Sequence, residues 1–152
     1  MSVSVATVRA VAEHETIRDA DWYAVEIAGV DYTNCEFRNV DMTEASVRHS
    51  VFTNCSFIDV RFNVSRHRDT AYTGCTFRGC NFFEAEFTDC KLVGSVFRGG
   101  ALRPLSVSGG DWTLVALTRA DLRRAQFRNV RLREADLTEA NCADSVFTDV
   151  DL

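Results

Sequence analysis

Thr33-Asn34-Cys35-Glu36-Phe37-Arg38-Asn39 returns as Thr53-Asn54-Cys55-Ser56-Phe57-Ile58-Asp59, and again as Thr73-Gly74-Cys75-Thr76-Phe77-Arg78-Gly79. A looser copy follows at Val93-Gly94-Ser95-Val96-Phe97-Arg98-Gly99. Inside each copy runs a shorter beat of five. From Trp22 to Leu152, every fifth residue is apolar at 26 of 27 positions, and His67 is the exception. Ten of the eleven Phe fall on this phase. The residue two before it is mostly small or β-branched, as at Ala20, Val25, Val30, Cys35, Val40 and Ala45.

A period of five fits neither a helix, which repeats every ~3.6 residues, nor a strand, which repeats every ~2. It fits a short strand that turns a corner. Cys35 and Phe37 point inward, Glu36 points outward, and Arg38-Asn39 make the bend. A lag of twenty then means four sides per turn, with Phe37, Phe57, Phe77 and Phe97 stacked in one inward column. Thr33, Thr53, Thr73 and Thr113 form an outward one. The chain is thus predicted to be an all-β, quadrilateral β-helix of about seven coils, roughly 32 Å long at ~4.8 Å per coil. The hand does not follow from the periodicity. Residues 20–152 form this solenoid, and residues 1–19 form an N-terminal arm or cap.

Composition narrows the function. The repeat leaves no linker, and no secretory signal or transmembrane run is legible, so a cytoplasmic protein is expected. Arg outnumbers Lys sixteen to one. Five of six cysteines (Cys35, Cys55, Cys75, Cys80, Cys90) occupy the small inward phase and Cys142 the large one. They read as buried free thiols rather than disulfides or metal ligands, which suits a reducing compartment. His67, between Arg66 and Arg68, reads as a buried, satisfied imidazole or a corner swung outward. Its pKa should be depressed by the two arginines. Leu105 takes a small-residue slot, Val107 compensates in volume, and Gly100 and Gly110 leave room. Pro104 falls at a corner, where its missing N–H is tolerated.

Net charge is −5 but unevenly spread. Residues 13–44 carry nine acids and two bases, residues 45–133 seven acids and fourteen bases, and residues 134–152 six acids and no base. The rod is expected to have a basic waist and two acidic ends. Arg18, Arg38, Arg78 and Arg98 share one outward column. The candidate partner-binding residues are Asp21, Glu26, Asp31, Glu36, Asp41 and Glu44 at one end. At the other they are Glu134, Asp136, Glu139, Asp144, Asp149 and Asp151. An open final coil predicts that two rods pair there or that a cap lies beyond residue 152.

Ala120-Asp121-Leu122, Ala135-Asp136-Leu137 and Ala140-Asn141-Cys142 resemble the signature of pentapeptide-repeat proteins. The resemblance implies a right-handed quadrilateral β-helix. A narrower likeness is carried by Gly94-Ser95-Val96-Phe97, Leu102-Arg103-Pro104-Leu105, Asp111-Trp112-Thr113-Leu114, Asp121-Leu122-Arg123 and Arg131-Leu132-Arg133-Glu134. These blocks, with Ser65-x-His67-Arg68, are similar in order and spacing to the mycobacterial MfpA-type quinolone-resistance proteins. That likeness covers about residues 33–152. It implies a non-catalytic protein that binds DNA gyrase by imitating a DNA duplex, inhibiting the enzyme or protecting it from quinolones. Related Qnr-type proteins engage the topoisomerase through projecting loops, and this chain has no insertion large enough for one. A duplex carries one negative charge per ~1.7 Å, so a ~32 Å length carries about 19. Against that, the net charge of −5 allows imitation only along a local stripe or at the two ends. The alternative is a structural or protein-interaction scaffold with a non-topoisomerase partner, with direct nucleic-acid binding through the arginine waist as its less favoured variant. No nucleophile–base pair, phosphate loop or ligand cluster is present, so no enzyme, cofactor, metal, small-molecule substrate or membrane role is expected.

Overall fold

A computed structural model describes residues 8–152. Every strand pairs in parallel with one twenty residues away, so the register is the repeat itself. The first side of the rod contains Val11–Glu13, Asp31–Thr33, Val51–Thr53 and Ala71–Thr73. The second contains Thr16–Arg18, Glu36–Arg38, Ser56–Ile58, Thr76–Arg78 and Val96–Arg98. The third is held by single bridges from Asp21 to Asp41, Arg61, Asn81 and Ala101. The fourth contains Glu26–Ala28, Ser46–Arg48, Arg66–Arg68, Ala85–Thr88, Leu105–Ser108, Gln126–Arg128 and Val146–Thr148. The result is a four-sided parallel β-solenoid of about seven turns.

The coil begins earlier than expected. Val11–Glu13 pairs with Asp31–Thr33, and Thr16–Arg18 with Glu36–Arg38. Residues 11–18, expected in an arm or cap, therefore supply two sides of the first coil. Ala12 takes the inward phase that the sequence shows convincingly only from Trp22. The remainder of the expected arm, residues 1–7, lies outside the described residues.

Corners carry a left-handed residue except at Pro104, and those at Gly99–Gly100 and Gly109–Gly110 carry two. Asn34, Asn39, Glu44, His49, Asn54 and Asp59 have φ between 50° and 59°, and the same fifth position recurs along the rod. Asn, Asp and Gly tolerate this region best, and other residues resist it by about 1–2 kcal/mol. The inter-coil bond opposes that cost. The Asn34 N–H donates to the Thr53 carbonyl at 2.9 Å, and the Asn54 N–H to that of Thr73 at 2.9 Å.

The inward columns fill the shaft with aromatic rings. Phe37, Phe57, Phe77 and Phe97 stack in sequence at centroid distances of 4.7, 4.9 and 4.8 Å. Those distances equal the strand spacing, so one register sets both the hydrogen bonds and the ring stack. Phe52–Tyr72 and Phe62–Phe82 repeat the arrangement at 4.9 and 4.8 Å.

His67 is buried in this column and stacks on Phe87 at 4.4 Å. Its Nε2 lies 2.8 Å from Ser65 Oγ and its Nδ1 2.7 Å from the Tyr72 hydroxyl. The imidazole is therefore satisfied on both nitrogens and the corner does not swing outward. Its pKa falls to about 3, and burial is the cause, not the flanking arginines as expected. Arg66 and Arg68 point to solvent on either side of it.

All six cysteines are free, and only Cys142 is not fully buried. Burial pushes Cys80 and Cys90 up to about 12, so neither forms a thiolate at neutral pH. Leu105 and Val107 are both buried as expected. Gly100 and Gly110, however, do not serve to make room for them. A Cβ on either would lie 2.1 Å from the carbonyl oxygen of Cys80 or Cys90, and their φ values are 77° and 96°. Close backbone approach is what requires glycine there.

The third side has one gap. Its bridges stop at Ala101 and resume between Asp121 and Asn141. Pro104 stands in this interval after a cis peptide bond, at the corner position that is left-handed in neighbouring coils. A proline cannot adopt positive φ or donate the corner N–H. The Glu84 N–H meets the Pro104 carbonyl at 2.9 Å.

Phe57→Ala should cost about 3–5 kcal/mol in urea denaturation, because the cavity opens between two stacked neighbours. His67 stays neutral in the fold down to about pH 3, while in the unfolded chain it gains a proton near 6.5. Its contribution to stability is complete above pH 6.5 and is lost as pH falls toward 3. His67→Phe should flatten the fall in stability between pH 7 and 5, and an unchanged slope contradicts the assignment. A thiol reagent should label Cys142 alone in the native protein, and the other five only after unfolding.

Candidate interaction surfaces

The acids singled out in the sequence do not form two patches. Around the first coils, Asp21 and Asp41 stand on the third side, Glu26 on the fourth, Asp31 on the first and Glu36 on the second. Glu44 sits at the corner between third and fourth. Around the last coils, Asp136 and Asp151 stand on the second and first sides, with Glu134, Glu139, Asp144 and Asp149 at the four corners. Each set is a ring around the rod.

Charge is sorted laterally as well as along the axis. Of the 21 non-glycine residues with positive φ, ten are acids and two are arginines. The corner conformation partly explains this, since Asp and Asn adopt it more readily than most residues. The flat sides carry both signs, with arginines gathered on two of them. The second side presents Arg18, Arg38, Arg78 and Arg98 in one column, interrupted by Ile58. The fourth presents Arg48, Arg66, Arg68 and Arg128. Acids thus occupy corners and sides alike, whereas arginines gather chiefly on the second and fourth sides.

Only part of the predicted acidic surface converges. Asp149 and Asp151 line a shallow depression with Asp89, Asp111, Lys91 and Arg131. Asp89 and Asp111 were missed in the sequence because both lie in the stretch read as a basic waist. The signal was present: Asp111 precedes Asp151 by two coils of twenty. At the other end, Asp21 and Asp41 share a depression with Asp19 and Arg61.

Most of these carboxylates have a cationic or hydroxyl partner. Glu26 lies 3.8 Å from Arg48, Asp41 3.8 Å from Arg61, Glu139 2.8 Å from Arg119, and Asp151 2.8 Å from Arg133. Glu36 pairs with Arg38, and Glu44 accepts from the Tyr23 hydroxyl. Exposed pairs of this kind contribute about 0–1 kcal/mol each, so a stronger partner displaces them readily. At Asp111 burial pushes the carboxyl pKa up, but bonds from the Thr113 hydroxyl and N–H, with Arg131 and Lys91 nearby, leave it below the usual range. Asp121 is drawn down to about 2, chiefly by the hydrogen bonds of Arg123 at 2.8 and 2.7 Å. Thr138 and Thr118 lower Asp136. No group of three or more His, Cys, Asp or Glu among the described residues is placed to hold a metal ion.

Comparison with known proteins rests on this geometry. The model of pentapeptide repeats matches residues 116–152 in eight copies, and that of the SV2A/B/C luminal domain matches residues 13–100. No curated protein sequence matches the chain. Trypsin-treated QnrB1, a plasmid-mediated fluoroquinolone resistance protein, superposes with a TM-score of 0.87 at 16% identity, covering 92% of this chain and 71% of QnrB1. A second trypsin-treated form gives 0.81 at 14% identity, with coverages of 92% and 73%. Full-length QnrB1 gives 0.72 at 14% identity, with coverages of 93% and 78%. At these identities the likeness establishes the shared fold. Residues 13–100 belong to the family described as SV2A/B/C luminal domain and residues 116–152 to the pentapeptide repeats, and one five-residue phase runs through both: the chain is a pentapeptide-repeat protein.

Proposed function

We propose that this rod is a non-catalytic binding protein whose partner is a type II topoisomerase of the DNA gyrase kind. It would lie against the enzyme's DNA-binding surface and modulate the enzyme or protect it from quinolone-type inhibitors. The fold likeness to QnrB1 over nine-tenths of the chain carries the proposal. The ordered sequence blocks shared with MfpA-type proteins name the partner.

The local clustering of acids refines the imitation of DNA. A phosphate chain is matched along an edge, where Asp89, Asp111, Asp149 and Asp151 gather, and not around the whole rod. Attraction to a basic groove is therefore local, and it weakens beyond a Debye length of about 8 Å at physiological salt. The reading places the protein in the cytoplasm, where free thiols persist.

The alternative, a scaffold for a different protein, is favoured by the arginine-bearing second and fourth sides. Supercoiling by purified gyrase, with and without a fluoroquinolone, separates the two. The expected result is inhibition or drug protection at micromolar protein, weakened several-fold by Asp89→Asn/Asp149→Asn/Asp151→Asn. Gyrase unaffected at that concentration defeats the proposal, and gyrase affected equally by the triple variant defeats the acidic-edge assignment.

A further inference from the structure

The fourth side holds three arginines in two adjacent coils. Arg66 and Arg68 flank buried His67 on one strand, and Arg48 is the direct cross-strand partner of Arg68. Ser46 pairs with Arg66 in the same register, and Thr88 with Arg68. Together these side chains and Glu86 line a surface depression of about 410 Å³. Like charges directly opposite on a sheet repel and destabilise it. The local carboxylates relieve this incompletely. Glu86 lies 3.2 Å from Arg66, and Glu26 lies 3.8 Å from Arg48. Arg68 forms no ion pair among the described residues. Asp69, at the next corner, faces His49 at 4.0 Å.

We propose that Arg48, Arg66 and Arg68, with the hydroxyls of Ser46 and Thr88, form a binding site for a dianionic phosphoryl group. Guanidinium forks match the oxygens of phosphate in direction and charge, and each such bond is stronger than one between neutral groups. The sheet holds Arg48 and Arg68 one coil apart at ~4.8 Å, and Arg66 beside Arg68 on the same strand and face, so little backbone order is lost on binding. Satisfied His67 beneath them fixes the strand that carries two of the three. A single tetrahedral dianion accepts from all three arginines at once, which a monovalent carboxylate does less well. Either free phosphate or a small phosphomonoester fits this chemistry. The site is independent of the topoisomerase reading, since it shares no residue with the acidic depression that reading uses.

Titration calorimetry at low ionic strength tests it with inorganic phosphate, methyl phosphate and a 20-base-pair duplex as three separate probes. The expected result is saturable phosphate binding with a Kd on the order of 1 mM or tighter. Arg48→Gln/Arg68→Gln should weaken it at least about tenfold, the loss of one charge-assisted bond or more. Arg98→Gln, on the opposite side, should leave it within about twofold. Methyl phosphate binding as well as phosphate identifies the phosphomonoester as the ligand, and phosphate alone identifies the free ion. Both variants should unfold at or above the wild-type temperature, which keeps a lost signal from meaning a lost fold. Heats no larger than those of chloride at equal ionic strength overturn the proposal. So does an equal loss in Arg98→Gln. Binding of the duplex without the small phosphates also overturns it, in favour of a nucleic-acid surface.

Discussion

Every rung of this rod joins residues twenty apart, and that single register carries the rest of the structure. It places Phe57 over Phe37 at 4.7 Å and under Phe77 at 4.9 Å. It also places the carbonyl of Thr53 where the N–H of Asn34 needs an acceptor. Hydrogen bonding and core packing have the same repeat distance, so neither can slip without the other. An insertion of one residue would turn a whole inward column toward solvent. The sequence tolerates none from Trp22 to Leu152.

The corners impose a second constraint, and it shapes the surface. A left-handed residue turns nearly every corner, and Asn, Asp and Gly are the natural choices. Part of the protein's acidity is thus a by-product of turning corners. Glu44, Glu84, Glu134 and Glu139 do not share that explanation, because Glu gains nothing special from positive φ. They are the acids whose presence owes more to charge than to backbone. Arginines occupy the flat sides, where an extended backbone accepts any residue and a long stem can lie along the sheet.

Much of this was legible in the sequence. The inward columns, the four sides, the free buried cysteines and the Arg18, Arg38, Arg78, Arg98 column all follow from reading at lags of five and twenty. The first coil was missed because Ala12 and Ile17 alone keep the phase there, and two residues do not make a pattern. The candidate surface was only half legible. Charge counted along the chain located the two rings of acids, yet it hid Asp89 and Asp111 inside a stretch that is basic on average. Neither depends on a motif: both become neighbours of Asp149 and Asp151 only once the chain is wound.

The sequence by itself determined the winding, because a five-residue apolar phase with a twenty-residue echo can bury its large side chains in no other regular way. It left open whether His67 enters the shaft or its corner swings outward, and the structure buries it. Tertiary structure alone decided what His67 touches, with Ser65 and Tyr72 reaching its two nitrogens from the same side and the next. It alone decided that the third side loses its bridge between Ala101 and Asp121. And it alone decided which charges become neighbours, because lateral position depends on where a coil bends, a property of backbone angles that a linear count of charge does not contain.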